Sequence, residues 1–251
     1  EIKISNDLNM LDEIEPSLKL LITYLITFWD MTCFDCWEEN MDAIHPYTLS
    51  AIQAGLKSIL ELDISIGNLP IVDTIEDIEA FLNKKAVHPD GYVRKLIYPN
   101  GKTSINDLPN LVDASLIGLV VPFQTRFLDP KILKRTIDKI EKDLYCPEGG
   151  VYRFRADTFY GGGEWILLGS WLAWYWCSIG QIDKALKMKD FIESKADLKG
   201  YLPEQISENL LAPSYYDYWV SKWGEVAKPL LWSHAMYLIL CQELRGVGAI
   251  N

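Results

Sequence analysis

The sequence predicts an all-α fold of paired helices, arranged as a helical toroid or a solenoid. Three observations carry this. Apolar residues recur at helical spacing in one segment after another. No stretch longer than a few residues alternates convincingly as a strand. Short links within helix pairs give way to long loops between pairs. Those loops are unlike one another, so no sequence repeat supports a solenoid. In a toroid, functional residues sit on loops at one end of a rigid scaffold.

The first helix is expected over residues 11–30, with Leu18, Ile22, Leu25 and Trp29 on one stripe and Pro16 in the first turns, where proline is best tolerated. Residues 31–46 read as a charged, aromatic loop. The second helix covers 48–62, with Ile52, Leu56, Ile59 and Leu60 on one face. A third follows over 72–85, with Asp73 and Thr74 as cap candidates. His88-Pro89-Asp90-Gly91 is a turn. The fourth helix spans about 113–122. The fifth spans 130–144, with Asp129 as N-cap and Pro130 at the first position. Gly161-Gly162-Gly163 precedes a sixth over 164–179, Gly180 breaks it, and a seventh runs over 182–197. Residues 202–223 read as an aromatic loop, and an eighth helix over 229–244 follows. Residues 92–98 and 151–155 are the candidates for short hairpin strands.

Composition narrows the function. The chain has 251 residues, 49% of them hydrophobic, enough for one large domain with a substantial core. The net charge is −11, which disfavours nucleic acid and anionic membranes as partners. Nine Trp and thirteen Tyr suit either a large helical core or a cleft that stacks sugar rings on flat aromatic faces. The five cysteines are odd in number and scattered, which argues against a disulfide framework. Cys33 and Cys36 form a C-x-x-C without the strand–helix setting of a redox motif or the second pair of a zinc site. Buried free thiols are expected, with no metal and no cofactor. Residues 165–180 are apolar but too short and too aromatic for a membrane span. Glu1-Ile2-Lys3 opens without an apolar signal, so a cytoplasmic protein is expected, and the start at Glu1 suggests a portion of a longer one.

Three constellations carry chemistry. Asp35-Cys36-Trp37-Glu38-Glu39 sets two carboxylates beside an indole, where one can be desolvated with its pKa raised, as a general acid needs, while the other stays ionised. Leu202-Pro203-Glu204-Gln205 places a carboxylate in an aromatic loop, where it can face the first group across a cleft or be merely solvated. The run from Tyr152 to Trp165 holds Arg153 and Asp157, suited to pairing and to binding hydroxyls, then three glycines that let backbone approach a ligand. A phosphate loop would need a following Lys-Ser/Thr and a βαβ setting, both missing here.

These blocks, with Pro229-Leu230-Leu231-Trp232-Ser233-His234-Ala235, resemble in the same order four segments of the glucoamylase family of glycoside hydrolases, which includes glucodextranases and some prokaryotic trehalases. Together they span residues 35 to 235. The resemblance implies an (α/α)6 barrel of the six-hairpin type and an inverting, exo-acting α-glucosidase that releases β-D-glucose from non-reducing ends. It implies Glu38 as general acid, Glu204 as general base, Glu39 as a sugar ligand on the leaving-group side, Arg153 and Asp157 as substrate-contacting, and Trp37 and Trp232 as aromatic walls. Trp165, which closes the third block, joins the substrate-binding set. The carbonyl of Cys36 takes the place of a sugar-binding backbone acceptor, and Phe159 stands where the family has Tyr. The two carboxyls of an inverting pair lie about 6.5–9.5 Å apart.

The family's barrel has twelve helices against the eight expected here, and its arginine–aspartate pair upstream of the acid has no counterpart before Asp35. Residues 1–251 are therefore expected to be the C-terminal part of the barrel, with an exposed apolar seam covered by an N-terminal portion or by self-association. Alone, the chain is expected to hydrolyse little. The substrate is expected to be an α-glucan or α-glucoside. Trehalase, glucodextranase and a non-catalytic glucan-binding fragment remain open as alternatives.

Overall fold

A computed structural model of the chain describes residues 8–62, 67–99, 112–146 and 149–250. Among these residues lie eight α-helices: α1 (Leu8–Phe28), α2 (Pro46–Leu60), α3 (Ile71–Phe81), α4 (Pro130–Leu144), α5 (Ile166–Ser178), α6 (Ile182–Ser194), α7 (Tyr216–Trp223) and α8 (Leu231–Gly246). The number matches the expectation, but the set does not. The helix expected over 113–122 is a 3₁₀ helix, Ala114–Leu119, capped by the Asp113 carboxylate accepting from the Ser115 amide at 2.8 Å. The segment read as a loop over 202–223 contains α7. None of its residues is buried. It is held instead by packing on the short turn Phe159–Gly161.

Other boundaries shift for local reasons. Helix α2 starts at Pro46, whose fixed φ suits a first helical position. Helix α3 is preceded by Pro70 rather than capped by Asp73 or Thr74; the Thr74 hydroxyl donates back to the Pro70 carbonyl at 2.8 Å. It continues into a π-helical turn, Leu82–Ala86. Glu164 and Trp165 do not open a helix. They form β1 (Glu164–Trp165), antiparallel to β2 (Gln205–Ile206), with Trp165 opposite Gln205. The hairpin candidates reduce to single bridges, Val87 to Val93, Ile44 to Ile97 and Tyr145 to Val151.

Helix α5 organises the core. It is apolar all round and nearly every side chain on it is buried, which is the pattern of a helix enclosed by others. It packs on α6, on α8 and on the 3₁₀ helix, while α2 packs on α3 and on the 3₁₀ helix. All five cysteines are free thiols; Cys146, Cys177 and Cys241 are buried, and Cys33 and Cys36 are half-buried. No helix among the described residues is long and apolar enough to cross a membrane.

An apolar seam is present. On α1, Leu20, Leu21, Tyr24 and Phe28 are exposed, and beside them a cavity of about 430 Å³ opens between α1 and α2, lined by Tyr24, Phe28, Trp29, Ile44, His45 and Leu49 among others. The helix pair around α5 is closed in contrast. Leu172, fully buried on α5, tests that core. Leu172→Ala is expected to lower unfolding free energy by about 2–5 kcal/mol in urea titration. A loss under about 1 kcal/mol would show that α5 is not the packing centre.

Candidate active site

The loop between α1 and α2 is folded by Asp35. Its Oδ1 accepts from the amides of Trp37 and Glu39, both at 2.9 Å, and its Oδ2 accepts from Asn40 Nδ2 at 3.0 Å. This tight reversal needs left-handed backbone at Glu38 (φ 63°) and Asn40 (φ 54°), conformations that cost a non-glycine residue energy. The His45 ring bonds the Cys33 and Asn40 carbonyls and closes the loop at its base.

The reversal turns two adjacent glutamates apart. Glu38 is exposed, and its carboxylate makes no hydrogen bond among the described residues. Glu39 is drawn in and accepts from Arg153 Nη2 at 3.2 Å. Burial pushes the Glu39 carboxyl above its ordinary value, while Arg153 and Lys95 pull it back. The expectation that one carboxyl of this pair would be desolvated holds, but that group is Glu39 rather than the expected acid, Glu38.

Arg153 is the hub of the cluster. It is 3% exposed and forks onto Asp157, Nε to Oδ2 at 2.7 Å and Nη2 to Oδ1 at 2.6 Å. Its guanidinium lies 5.4 Å from the Trp37 ring, 5.3 Å from Phe159 and 4.9 Å from Trp165. Burial lowers its pKa, but hydrogen bonds and charge from Asp157, with Glu39 and Asp113, outweigh this and hold it above the ordinary value. Trp37 packs on Trp165 at 5.4 Å and on Trp232 at 5.7 Å, so all three expected aromatic contacts are contiguous. Phe159 extends this wall to Trp219 of α7 at 5.0 Å. The indole nitrogens of Trp165 and Trp219 are buried with no hydrogen-bond partner among the described residues.

Glu204 comes from a third segment of the chain, beyond α6. It precedes β2, and its amide donates to the Ala227 carbonyl at 2.9 Å. The segment is pinned to the start of α8, where Ser233 Oγ donates to the Pro203 carbonyl at 2.8 Å and His234 Nε2 accepts from the Leu202 amide at 3.0 Å. Gln205 Oε1 accepts from the Gly163 amide at 2.8 Å, and a Cβ on Gly163 would lie 2.3 Å from the Ile206 carbonyl, so this approach requires glycine. Burial raises the Glu204 pKa, Arg153 draws it down, and Asp157 adds to the rise.

Trp37, Glu39, Arg153, Asp157, Trp165 and Trp232 are therefore one cluster. Glu204 shares the charges of Arg153 and Asp157, and Glu38 lies at its exposed rim. Sequence reasoning missed Asp35, Gln205, Ser233 and His234, which position these residues; only the side-chain preference of Asp for turns signalled the first.

No protein-family model matches the chain. It is 38% identical over 237 residues to isomaltose glucohydrolase from Kribbella flavida, covering 93% of the chain and 58% of that protein. An uncharacterised glycosyl hydrolase from Methanocaldococcus jannaschii is 30% identical over 230 residues, covering 84% of the chain and 34% of that protein. A solved glycosidase matches with a TM-score of 0.81 at 37% identity, over 94% of the chain and 61% of its own.

The chain is a homologue of the glucoamylase-type glycosidases.

A bacterial glucoamylase solved with acarbose shares the fold at a TM-score of 0.68 and 22% identity, over 91% of the chain and 37% of its own. The helices form an incomplete (α/α)6 barrel of the glucoamylase type, with eight of its twelve α-helices among the described residues. The chain spans less than two thirds of the first relatives it matches.

The glutamates make this cluster sensitive to pH. A carboxyl whose pKa is raised on folding holds its proton more tightly in the folded state. Stability therefore falls as pH climbs from the ordinary value of 4.5 through the raised one, and the cost of the buried charge is fully present above it. Glu204→Gln is expected to melt above the parent at pH 7 and to converge with it below about pH 4. A parent that melts higher at pH 7 would contradict the burial described for Glu204.

Proposed function

We propose that these residues carry the catalytic part of an inverting, exo-acting α-glucosidase that releases β-D-glucose from non-reducing ends of an α-glucoside or α-glucan. In this reading residues 1–251 are one domain, the C-terminal part of the barrel. The observation that carries the proposal is Arg153: one caged guanidinium gathers Glu39, Asp157 and the aromatic wall and bears electrostatically on Glu204 as well.

Glu204 is the proposed base. Its raised pKa suits a group that accepts a proton from water, and an inverting reaction needs such a base on the face of the sugar away from the acid. Glu38 is the proposed acid. Its exposed carboxyl, which makes no hydrogen bond among the described residues, is free to meet the departing oxygen of a bound sugar. Trp37, Trp165 and Trp232 supply ring faces, and Glu39, Arg153 and Asp157 supply hydroxyl contacts. The unpaired indole N–H groups of Trp165 and Trp219 are further donors. An unmet buried donor costs about 1–3 kcal/mol, which a sugar hydroxyl would relieve.

The relatives support two of these assignments. The glycosidase with the 0.81 TM-score is also solved as a phenylalanine-to-tyrosine variant and as a glutamate-to-alanine variant in complex with glucose. Those two positions are spaced in that chain as Phe159 and Glu204 are here. The spacing supports Glu204 in the sugar site and a native Phe at 159. The isomaltose glucohydrolase likeness makes isomaltose the first substrate to test, ahead of maltose and trehalose.

A second reading, Glu39 as the acid, is favoured by its burial and raised pKa, and its ion pair with Arg153 weighs against it. Glu→Gln variants at 38, 39 and 204 in the full-length gene product separate the two. Glu38→Gln and Glu204→Gln are expected to lower kcat by about 10²–10⁴-fold, and Glu39→Gln to act mainly on KM. Loss of kcat at 39 with activity retained at 38 would reverse the assignment. Sugar binding without product in the parent would leave a glucan-binding protein. In the active parent, the acidic limb of the kcat/KM profile is expected above the ordinary glutamate value, and a limb at or below it would count against Glu204 as base.

A further inference from the structure

Beneath the aromatic wall lies an ion pair that the reaction outlined above does not use. Lys95 Nζ is 3.2 Å from Asp113 Oδ2, with the two side chains 4% and 2% exposed. The lysine also sits 3.1 Å from the centre of the Phe154 ring. The carboxylate is fully engaged: both oxygens accept from the Trp37 indole N–H at 3.1 Å, and Oδ1 accepts from the Ser115 amide. The neighbouring Ala114 amide donates to the Arg153 carbonyl at 2.9 Å. Asp113, with the Ala114 that follows it, thus joins the Trp37 side chain to the segment that bears Arg153.

A buried ion pair contributes little net stability, because desolvation offsets the attraction. Its consequence here is orientation. The tilted contacts with Trp165, at 55°, and Trp232, at 32°, pack the Trp37 ring but put no polar partner on its indole nitrogen, so they leave the ring free to shift along them. The hydrogen bond to Asp113 removes that freedom. Glu38 follows Trp37 directly on a strained reversal, so displacement of the indole displaces the exposed carboxyl.

We propose that Asp113, held in place by Lys95, is a positioning residue that acts through the Trp37 indole to set Glu38 against the departing oxygen. This rests on the glycosidase reading, and the leaving group separates the two. An alcohol leaving group needs the proton of the acid, whereas fluoride departs without one.

The test uses the full-length gene product, whichever of maltose, isomaltose and trehalose it cleaves fastest, and α-D-glucosyl fluoride. Asp113→Leu with Lys95→Met removes the acceptor without stranding a charge. It is expected to lose on the order of 100-fold in kcat on the disaccharide, the scale of an angstrom-sized misplacement, and about fivefold or less on the fluoride. Asp113→Asn with Lys95→Met keeps an acceptor for the indole and is expected to recover at least about tenfold on the disaccharide. Trp37→Phe, which keeps a ring but has no N–H, is expected to lose on both substrates as part of the wall and at least about tenfold more on the disaccharide, and covers the case in which the double variant does not fold. Equal losses on both substrates, or no loss, would overturn the positioning role while leaving Glu204→Gln inactive. Hydrolysis retained in Glu204→Gln, or a parent that cleaves neither substrate, would overturn the glycosidase reading and this proposal with it.

Discussion

The site depends on one buried cation. Arg153 has four carboxylates to answer, Asp157 by a two-point fork, Glu39 by a single longer bond, and Asp113 and Glu204 through charge alone. A guanidinium this deep would be costly without partners, and Nη2, which forms one arm of the fork to Asp157, has a second N–H for Glu39. The aromatic rings around it exclude water, which strengthens each of those interactions. Remove the cation, and Glu39 and Glu204 become two half-buried carboxyls near Asp157 with nothing to hold them in register.

The scaffold brings three distant segments to this cation by three different means. The Glu39 loop is folded on itself by Asp35, so its shape is local. The Arg153 segment is fixed from below, where Ala114 and Asp113 meet it. The Glu204 segment is fixed by tertiary contacts, with β1, with Gly163 and with Ser233 and His234 at the start of α8. Ser233 and His234 therefore explain why the last sequence block accompanies the others although only Trp232 reaches the aromatic wall.

Much of this was legible in the sequence where the signal is periodic or chemical. Helices α2, α4 and α6 have apolar stripes or capping residues, and Asp129-Pro130 marks a boundary to the residue. The residues of the cluster were legible through the resemblance of four blocks, in order, to a known family, each block being a weak signal by itself. Helix α7 was not, because it buries none of its residues and owes its place to the Phe159–Gly161 turn. Trp165 was placed on a helix because its segment is apolar, whereas pairing with Gln205 draws it into a strand. The contrast between Glu38 and Glu39 was out of reach, since it follows from a positive φ that neither residue type announces. The Lys95–Asp113 pair was equally hidden, since no spacing rule links residues that meet only in the folded chain.

At the centre of the account are two carboxyls that act on opposite faces of one sugar ring, with water delivered by Glu204. Proton NMR of the first sugar released, recorded before mutarotation scrambles it, reads that arrangement directly. The account predicts β-D-glucose as the initial product from an α-linked substrate. α-D-glucose as the initial product would contradict it, because retention requires a nucleophile within bonding distance in place of an activated water.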